Sequence, residues 1–366
     1  MKDGWKSINL AELVRELEPL IARYFRIYDL KIQPNNVKFY VYPVFDDLIL
    51  KRGVNEIWKL VNSKGGSLSI KEEYGELVIE ISFVEQREKV WINILLALAT
   101  FLTTTFMGAF MFGVNPIENP LSLVKGLPFS LSLMLVLGSH ELGHYIVARK
   151  RGMKTSLPYF IPFPSFIGTL GAVIRHKGPI PDRRALFDVG ASGPFIGLVV
   201  SIVITAVGLS LPVPAYPSEG EKLMIGLPPL FLLVAKISVG SIPEYMHPVA
   251  FAGWIGMFVT LLNLIPVGQL DGGHMVRAML GRKASLISRT FPFLLIILGV
   301  VSGMVYGESS SIWIFWGIFT MLFSLADHPP PLDDEIEIDT GRKLFGIVVF
   351  ILGIMSFTPL PLMYVQ

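Results

Sequence analysis

Ser139-His140-Glu141-Leu142-Gly143-His144 lies inside an apolar run from about residue 125 to 148. A helix brings residues four apart onto one face, so the two imidazoles can share a metal while the carboxylate stands beside it as a base. Three ionisable side chains at membrane depth are costly and rarely kept without a function. The stretch therefore predicts a membrane helix and a metal-dependent reaction centre together.

Composition extends that reading to the whole chain. Hydrophobic residues make up 52% and charged residues 16% of the 366, and mean hydropathy is +0.58, whereas soluble domains carry about 25% charged residues. The expected class is a mainly α-helical polytopic membrane protein with the lipid bilayer as its surroundings. A net charge of +2 without a basic block gives no reason to expect a nucleic-acid partner. Zero cysteines exclude disulfides and thiolate sites, so any metal must be held by His, Asp or Glu. Met1 opens a polar segment, from which no cleavable signal peptide is expected.

A soluble head comes first. Leu10, Leu13, Val14, Leu17, Leu20 and Ile21 recur at helical spacing, predicting an amphipathic helix from Leu10 to about Tyr24. Three strands are expected at Val37 to Val44, Ser67 to Ile70 and Glu76 to Phe83, with a turn at Tyr74-Gly75 and a second helix at Val54 to Val61. Residues 1–88 thus read as a small α+β domain for regulation or docking.

Seven apolar spans follow, at about 90–114, 125–148, 185–209, 249–270, 290–306, 311–326 and 344–361. Alternating spans put the clusters Arg149, Lys150, Arg151 and Lys154; Arg183 and Arg184; Arg277, Arg282, Lys283 and Arg289; and Arg342 and Lys343 on one side. By the positive-inside rule that side is the cytoplasm, and the head lies there too. Two further apolar segments are not counted as spans. Leu223 to Val239 contains Pro228-Pro229 and reads as re-entrant or interfacial, while Leu157 to Ile174 carries Pro158, Pro162, Pro164, Gly168 and Gly171 and is expected to border the reaction cavity. The acidic, proline-rich run at 327–343 is expected to be a solvated cytoplasmic linker between a core at 89–326 and a last span at 344–366.

A catalytic zinc usually takes three protein ligands plus water. The fourth span ends in Asn263-Leu264-Ile265-Pro266-Val267-Gly268-Gln269-Leu270-Asp271-Gly272-Gly273-His274. His144 precedes Arg149 and Asp271 precedes Arg277 by similar intervals, so each sits within roughly 10 Å of the same boundary at about 1.5 Å per residue. Asp271 is therefore the expected third ligand. His274 stays open as a fourth ligand, an oxyanion donor or an interfacial histidine; His176, between Arg175 and Lys177, reads as a snorkelling residue at the cytoplasmic edge, and His247 and His328 read as surface residues in loops.

The two motifs together resemble the site-2 proteases, intramembrane zinc metalloproteases of the M50 class. The resemblance rests on His-Glu-x-x-His at 140–144 and Asn-x-x-Pro-x-x-x-Leu-Asp-Gly at 263–272, with Gly168-Thr169-Leu170-Gly171 similar to a glycine-containing stretch between them. The cytoplasmic head and core look most like members with a soluble N-terminal domain. The resemblance implies one zinc ion held by His140, His144 and Asp271, with Glu141 as proton carrier and a transmembrane protein as substrate. It also implies that Asn263 holds substrate or the developing oxyanion. The β-branched, glycine-flanked segment from Thr169 through Gly171 to Ile174 is expected to bind the unwound substrate by strand addition. Two other classes would bury the same ligands: a metal transporter and a metal-binding scaffold without catalysis. Spans one, five, six and seven contain no charged residue, which disfavours a transporter, and the presence of Glu141 favours an active hydrolase.

Overall fold

The N-terminal pattern builds one sheet with two helices on one face. In a computed structural model, residues 10–34, 36–73, 75–82, 89–214, 222–306, 311–324 and 331–365 are described. Tyr74, His328 and the connection at 307–310 lie outside these residues. The head runs α1 (Leu10–Ala22), β1 (Phe25–Gln33), β2 (Asn36–Pro43), α2 (Asp47–Ser63), β3 (Ser67–Glu73) and β4 (Glu76–Ser82). The sheet order is β1-β2-β4-β3, antiparallel throughout. Val37, Phe39, Val41, Ile79 and Ile81 point to one face and pack on Leu13, Leu17, Ile21, Ile57 and Val61. Each such side chain contributes about 1.5–3 kcal/mol when fully buried. Asp46 caps α2 by accepting from the Ile49 amide at 3.2 Å.

The sheet has four strands where three are expected. β1 escapes the alternation rule because its pairing with β2 shifts between Ile27 and Asp29. A bulge there breaks the period-two pattern on which the sequence reading relies.

The apolar half contains α3 (Val90–Met111), α4 (Leu127–Lys150), β5 (Lys154–Thr155), β6 (Tyr159–Pro162), β7 (Thr169–Val173), β8 (His176–Lys177) and α5 (Arg183–Leu209). Then come β9 (Lys222–Ile225), α6 (Pro229–Ser238), α7 (Pro248–Asn263), α8 (Asp271–Leu280), α9 (Ala284–Tyr306), α10 (Ser311–Ser324), α11 (Thr340–Met355) and β10 (Leu362–Val365). Among the described residues, four runs are long and apolar enough to cross a membrane: Val90–Met111, Pro120–Lys150, Arg183–Leu209 and Asp271–Tyr306. The other three expected spans appear as shorter helices, α7 and α11 of 16 residues and α10 of 14. At about 1.5 Å per residue these fall short of a roughly 30 Å hydrocarbon core.

One boundary differs in a way that matters for function. Asp271 does not end the helix before it; α7 stops at Asn263, and Asp271 is the first residue of α8. Pro266 and Gly268, the latter at φ +49°, interrupt the helix between them. The breakers in Leu157 to Ile174 likewise produce a hairpin of β6 and β7, with Thr169 opposite Pro162.

The acidic run is not a solvated linker where it is described. Leu332 and Asp333 donate backbone bonds to the Ile180 and Pro181 carbonyls at 2.9 Å. Asp334 pairs with Arg277 at 2.7 Å, Glu335 with Arg52 of the head, and Asp339 caps α11. Ile338 is buried against Phe187 and Met275. A run of like charge packs down here because Arg52, Arg184, Arg277 and Lys343 surround it. The head is also tied to the end of α4, since Asn62 Nδ2 donates to Gly152 O at 2.8 Å and Lys154 Nζ to Gly66 O at 2.7 Å.

Candidate metal centre

α4 carries the histidines on its buried face. Its residues from Leu127 to Gly138 include no charged group, and helical periodicity stacks His140 directly before His144. The ring of His144 occupies the space a side chain would fill at Gly193 of α5. That close approach lets His144 Nδ1 donate to the Val189 carbonyl at 2.7 Å. A carbonyl can only accept, so Nε2 is left with its lone pair facing inward. Gly197, one turn further along α5, gives the same clearance to His140, whose Nδ1 would be 3.0 Å from a Cβ there.

The third group arrives from α8. Asp271 Oδ2 is 3.2 Å from His140 Nε2 and 3.2 Å from His144 Nε2, and the two Nε2 atoms are 3.2 Å apart. Ligands about 2.05 Å from a tetrahedral zinc would be separated by about 3.3 Å. The triangle therefore fits three corners of such a site, with the fourth left for water or substrate. Two imidazole nitrogens and a carboxylate oxygen facing one another are a donor set that suits a divalent cation. Among the described residues this is also the cluster of His and acidic groups with ligand atoms within 4.8 Å of one another.

Glu141 is buried with 8% exposure, one step around the helix from His140. The backbone amide of Ile174, just beyond β7, hydrogen-bonds its carboxylate. The end of the hairpin is thus brought to Glu141. Asn263 comes there too, its Nδ2 lying 3.3 Å from His140 Nε2.

The remaining histidines and the hairpin residues divide by position. Thr169 is buried, and its hydroxyl is used inside the hairpin: it donates to Ile161 O at 2.8 Å and accepts from the Gly171 amide at 2.9 Å. Gly171, at φ +104°, takes a backbone conformation that other residues resist. His274 sits one turn beyond Asp271, with Gly190 of α5 so close that a Cβ there would be 3.0 Å from His274 Cβ. His247, expected at the surface, is buried and caps α7 by accepting from the Val249 amide at 3.2 Å. His176 is exposed on β8. Arg277 pairs with Asp334 and leaves Asp271 to the histidines.

The model of peptidase family M50 matches residues 128–306. This membrane core belongs to peptidase family M50. The chain is 30% identical over 244 residues to the probable zinc metalloprotease EGY1, chloroplastic, of Arabidopsis thaliana, covering 64% of this chain and 43% of that protein. It is 30% identical over 260 residues to EGY2 of the same plant, covering 68% and 44%, and 25% identical over 291 residues to EGY3, covering 73% and 48%. The chain thus spans less than half the length of these relatives. No solved structure matches it.

Motif reading of the M50 core expects a span at 185–209 but misses that this helix, α5, makes room for the ligands. Gly190, Gly193 and Gly197 of α5 lie against α8, His144 and His140 respectively. The small-xxx-small spacing of Gly193 and Gly197 is the signal that could have found them, since such pairs mark close helix contacts in membranes.

Proposed function

We propose that this chain is an intramembrane zinc metalloprotease that hydrolyses a peptide bond within or near a membrane-spanning segment of another protein. The observation that carries this is the 3.2 Å triangle of His140, His144 and Asp271 inside an M50 core. These three residues would hold one zinc ion, which when bound supplies the Lewis acidity that polarises a carbonyl and brings a water near pKa 7. Glu141 takes the proton from the attacking water and delivers it to the leaving amine as the C–N bond breaks. Asn263 turns its amide toward the substrate oxygen as negative charge develops. His274 is an accessory group one helical turn away.

A transmembrane helix hides its carbonyls in its own hydrogen bonds, so the substrate must unwind before attack. The segment from Thr169 to Ile174 binds the extended chain by strand addition. Two observations support this: β7 pairs with β6 along one edge in a two-stranded sheet, and Ile174 reaches Glu141. Thr169 and Gly171 contribute by holding the shape of that strand. Ala172→Pro removes one strand amide, and loss of a hydrogen bond of about 0.5–1.5 kcal/mol predicts up to about tenfold slower cleavage. Zinc content is expected to be unchanged, and full cleavage by a folded, zinc-loaded variant would count against strand addition.

Seven spans, with the head and the active-site end toward the cytoplasm of a prokaryotic cell membrane, form the topology we favour. The Lys and Arg clusters at 149–154, 183–184, 277–289 and 342–343 support it. Residues 1–88 regulate or dock, 89–326 carry the chemistry, 327–343 connect, and 344–366 provide the last span. The test of the function is reconstitution of the chain with a single-span substrate in liposomes. A zinc chelator is expected to stop cleavage and added zinc to restore it; cleavage indifferent to the chelator would refute the reading.

A further inference from the structure

Arg183, the first residue of α5, is a cation with 7% exposure. Its Nε donates to Ala278 O at 2.9 Å and its Nη2 to Met279 O at 3.2 Å. These are carbonyls of the last turn of α8, where the helix leaves acceptors unsatisfied and carries partial negative charge. A Cβ on Gly281, the residue closing α8, would lie 3.6 Å from the guanidinium carbon. Asp271 stands at the opposite, electropositive end of the same helix.

α8 needs an external hold. It has 10 residues, no side-chain cap at Leu270, and follows the irregular segment 264–270, and helices this short are marginal by themselves. α5 supplies contacts at both ends of α8. Arg183 grips the C-terminal carbonyls, and Gly190 lies under the N-terminal turn, where its Cβ would be 3.2 Å from Asp271 O. The same helix receives His144 at Gly193 and Val189. α5 therefore aligns the two halves of the metal site against each other.

We propose that Arg183 is a positioning residue for metal ligation: by fixing α8 along its axis, its guanidinium sets Asp271 at the distance from His140 and His144 that a zinc ion requires. The proposal rests on the zinc site described above. Its effect runs through the placement of Asp271.

The test uses the full chain in detergent and two readouts, zinc affinity by chelator competition and the visible absorption of the cobalt-substituted protein. Arg183→Met keeps the length of the side chain without charge or donors; Arg183→Lys keeps the charge and donates to carbonyls. Displacing a group that orients a ligand typically costs 10–100-fold in metal affinity. R183M is expected to lose about that much and to alter the cobalt bands, with R183K recovering most of both. Wild-type zinc affinity and bands in R183M overturn the proposal. So does a lower unfolding temperature of the metal-free R183M with undiminished zinc affinity in its folded fraction, because that is the behaviour of a merely structural residue. Equal impairment of R183M and R183K also overturns it. Should R183M yield no folded protein, R183Q carries the comparison, with an intermediate loss expected and wild-type affinity overturning the proposal. A wild-type chain that binds no zinc would instead refute the reading of the site.

Discussion

Glu141→Gln is expected to keep its zinc and lose its proteolysis. Glutamine has nearly the shape of glutamate, and Glu141 is not one of the three groups whose ligand atoms converge. What the amide cannot do is accept a proton from water and return it to the leaving nitrogen. General acid–base groups of this kind contribute about 10²–10⁴-fold, so cleavage of a single-span substrate should fall by that factor. The substitution also removes a carboxylate buried to 8% exposure, whose desolvation opposes folding. The thermal unfolding temperature should therefore hold or rise. Metal content measured by elemental mass spectrometry, alongside the cleavage rate, decides the matter. Undiminished cleavage with zinc in place would remove Glu141 from the mechanism.

The second large effect is expected at a residue that touches no substrate. At Gly193 a single added carbon would overlap the His144 ring, closest to Nε2. Two effects of opposite sign meet in Gly193→Ala. Alanine is a better helix former than glycine by about 1 kcal/mol. Overpacking costs about 1–3 kcal/mol or more, and the bond from His144 to Val189 adds about 1 kcal/mol when broken. The steric cost wins, because the obstacle is an imidazole held on both sides and not the free end of a flexible chain. G193A should lose zinc, and Gly193→Val should lose zinc and stability together, read by metal content and by unfolding in detergent. A G193A chain that binds zinc as the wild type does would show that α4 and α5 can part without disturbing the ligands.

These two expectations differ in what they owe to sequence reading. Glu141 is expected as a base from the sequence because a carboxylate between two histidines four apart has few other uses in an apolar helix. Asp271 is visible more indirectly, through its distance from a boundary marked by arginine. The hairpin at 159–173 is legible as a non-helical segment from its prolines and glycines, but its pairing with Thr169 opposite Pro162 is not. β1 stays hidden because its bulge breaks the alternation. The acidic run reads as solvated because charge patterning along a chain says nothing about the arginines that fold brings beside it, such as Arg52 and Arg277. Gly193 carries no chemistry of its own, so only its neighbour reveals its role.

By itself the sequence determined the class of the molecule, the shared face of His140 and His144 on α4 and the kinds of donor open to a metal. Those follow from local rules: hydropathy measured against bilayer thickness, the 3.6-residue turn, and the absence of cysteine. Tertiary structure alone decided that Asp271 begins a helix instead of ending one, and that α5 is the helix on which both half-sites rest. The physical reason is that a contact between residues 131 positions apart depends on how closely three helices can approach. That approach is set by missing side chains at Gly190, Gly193 and Gly197 and by the bonds from Arg183 to α8, neither of which leaves a periodic trace along the chain.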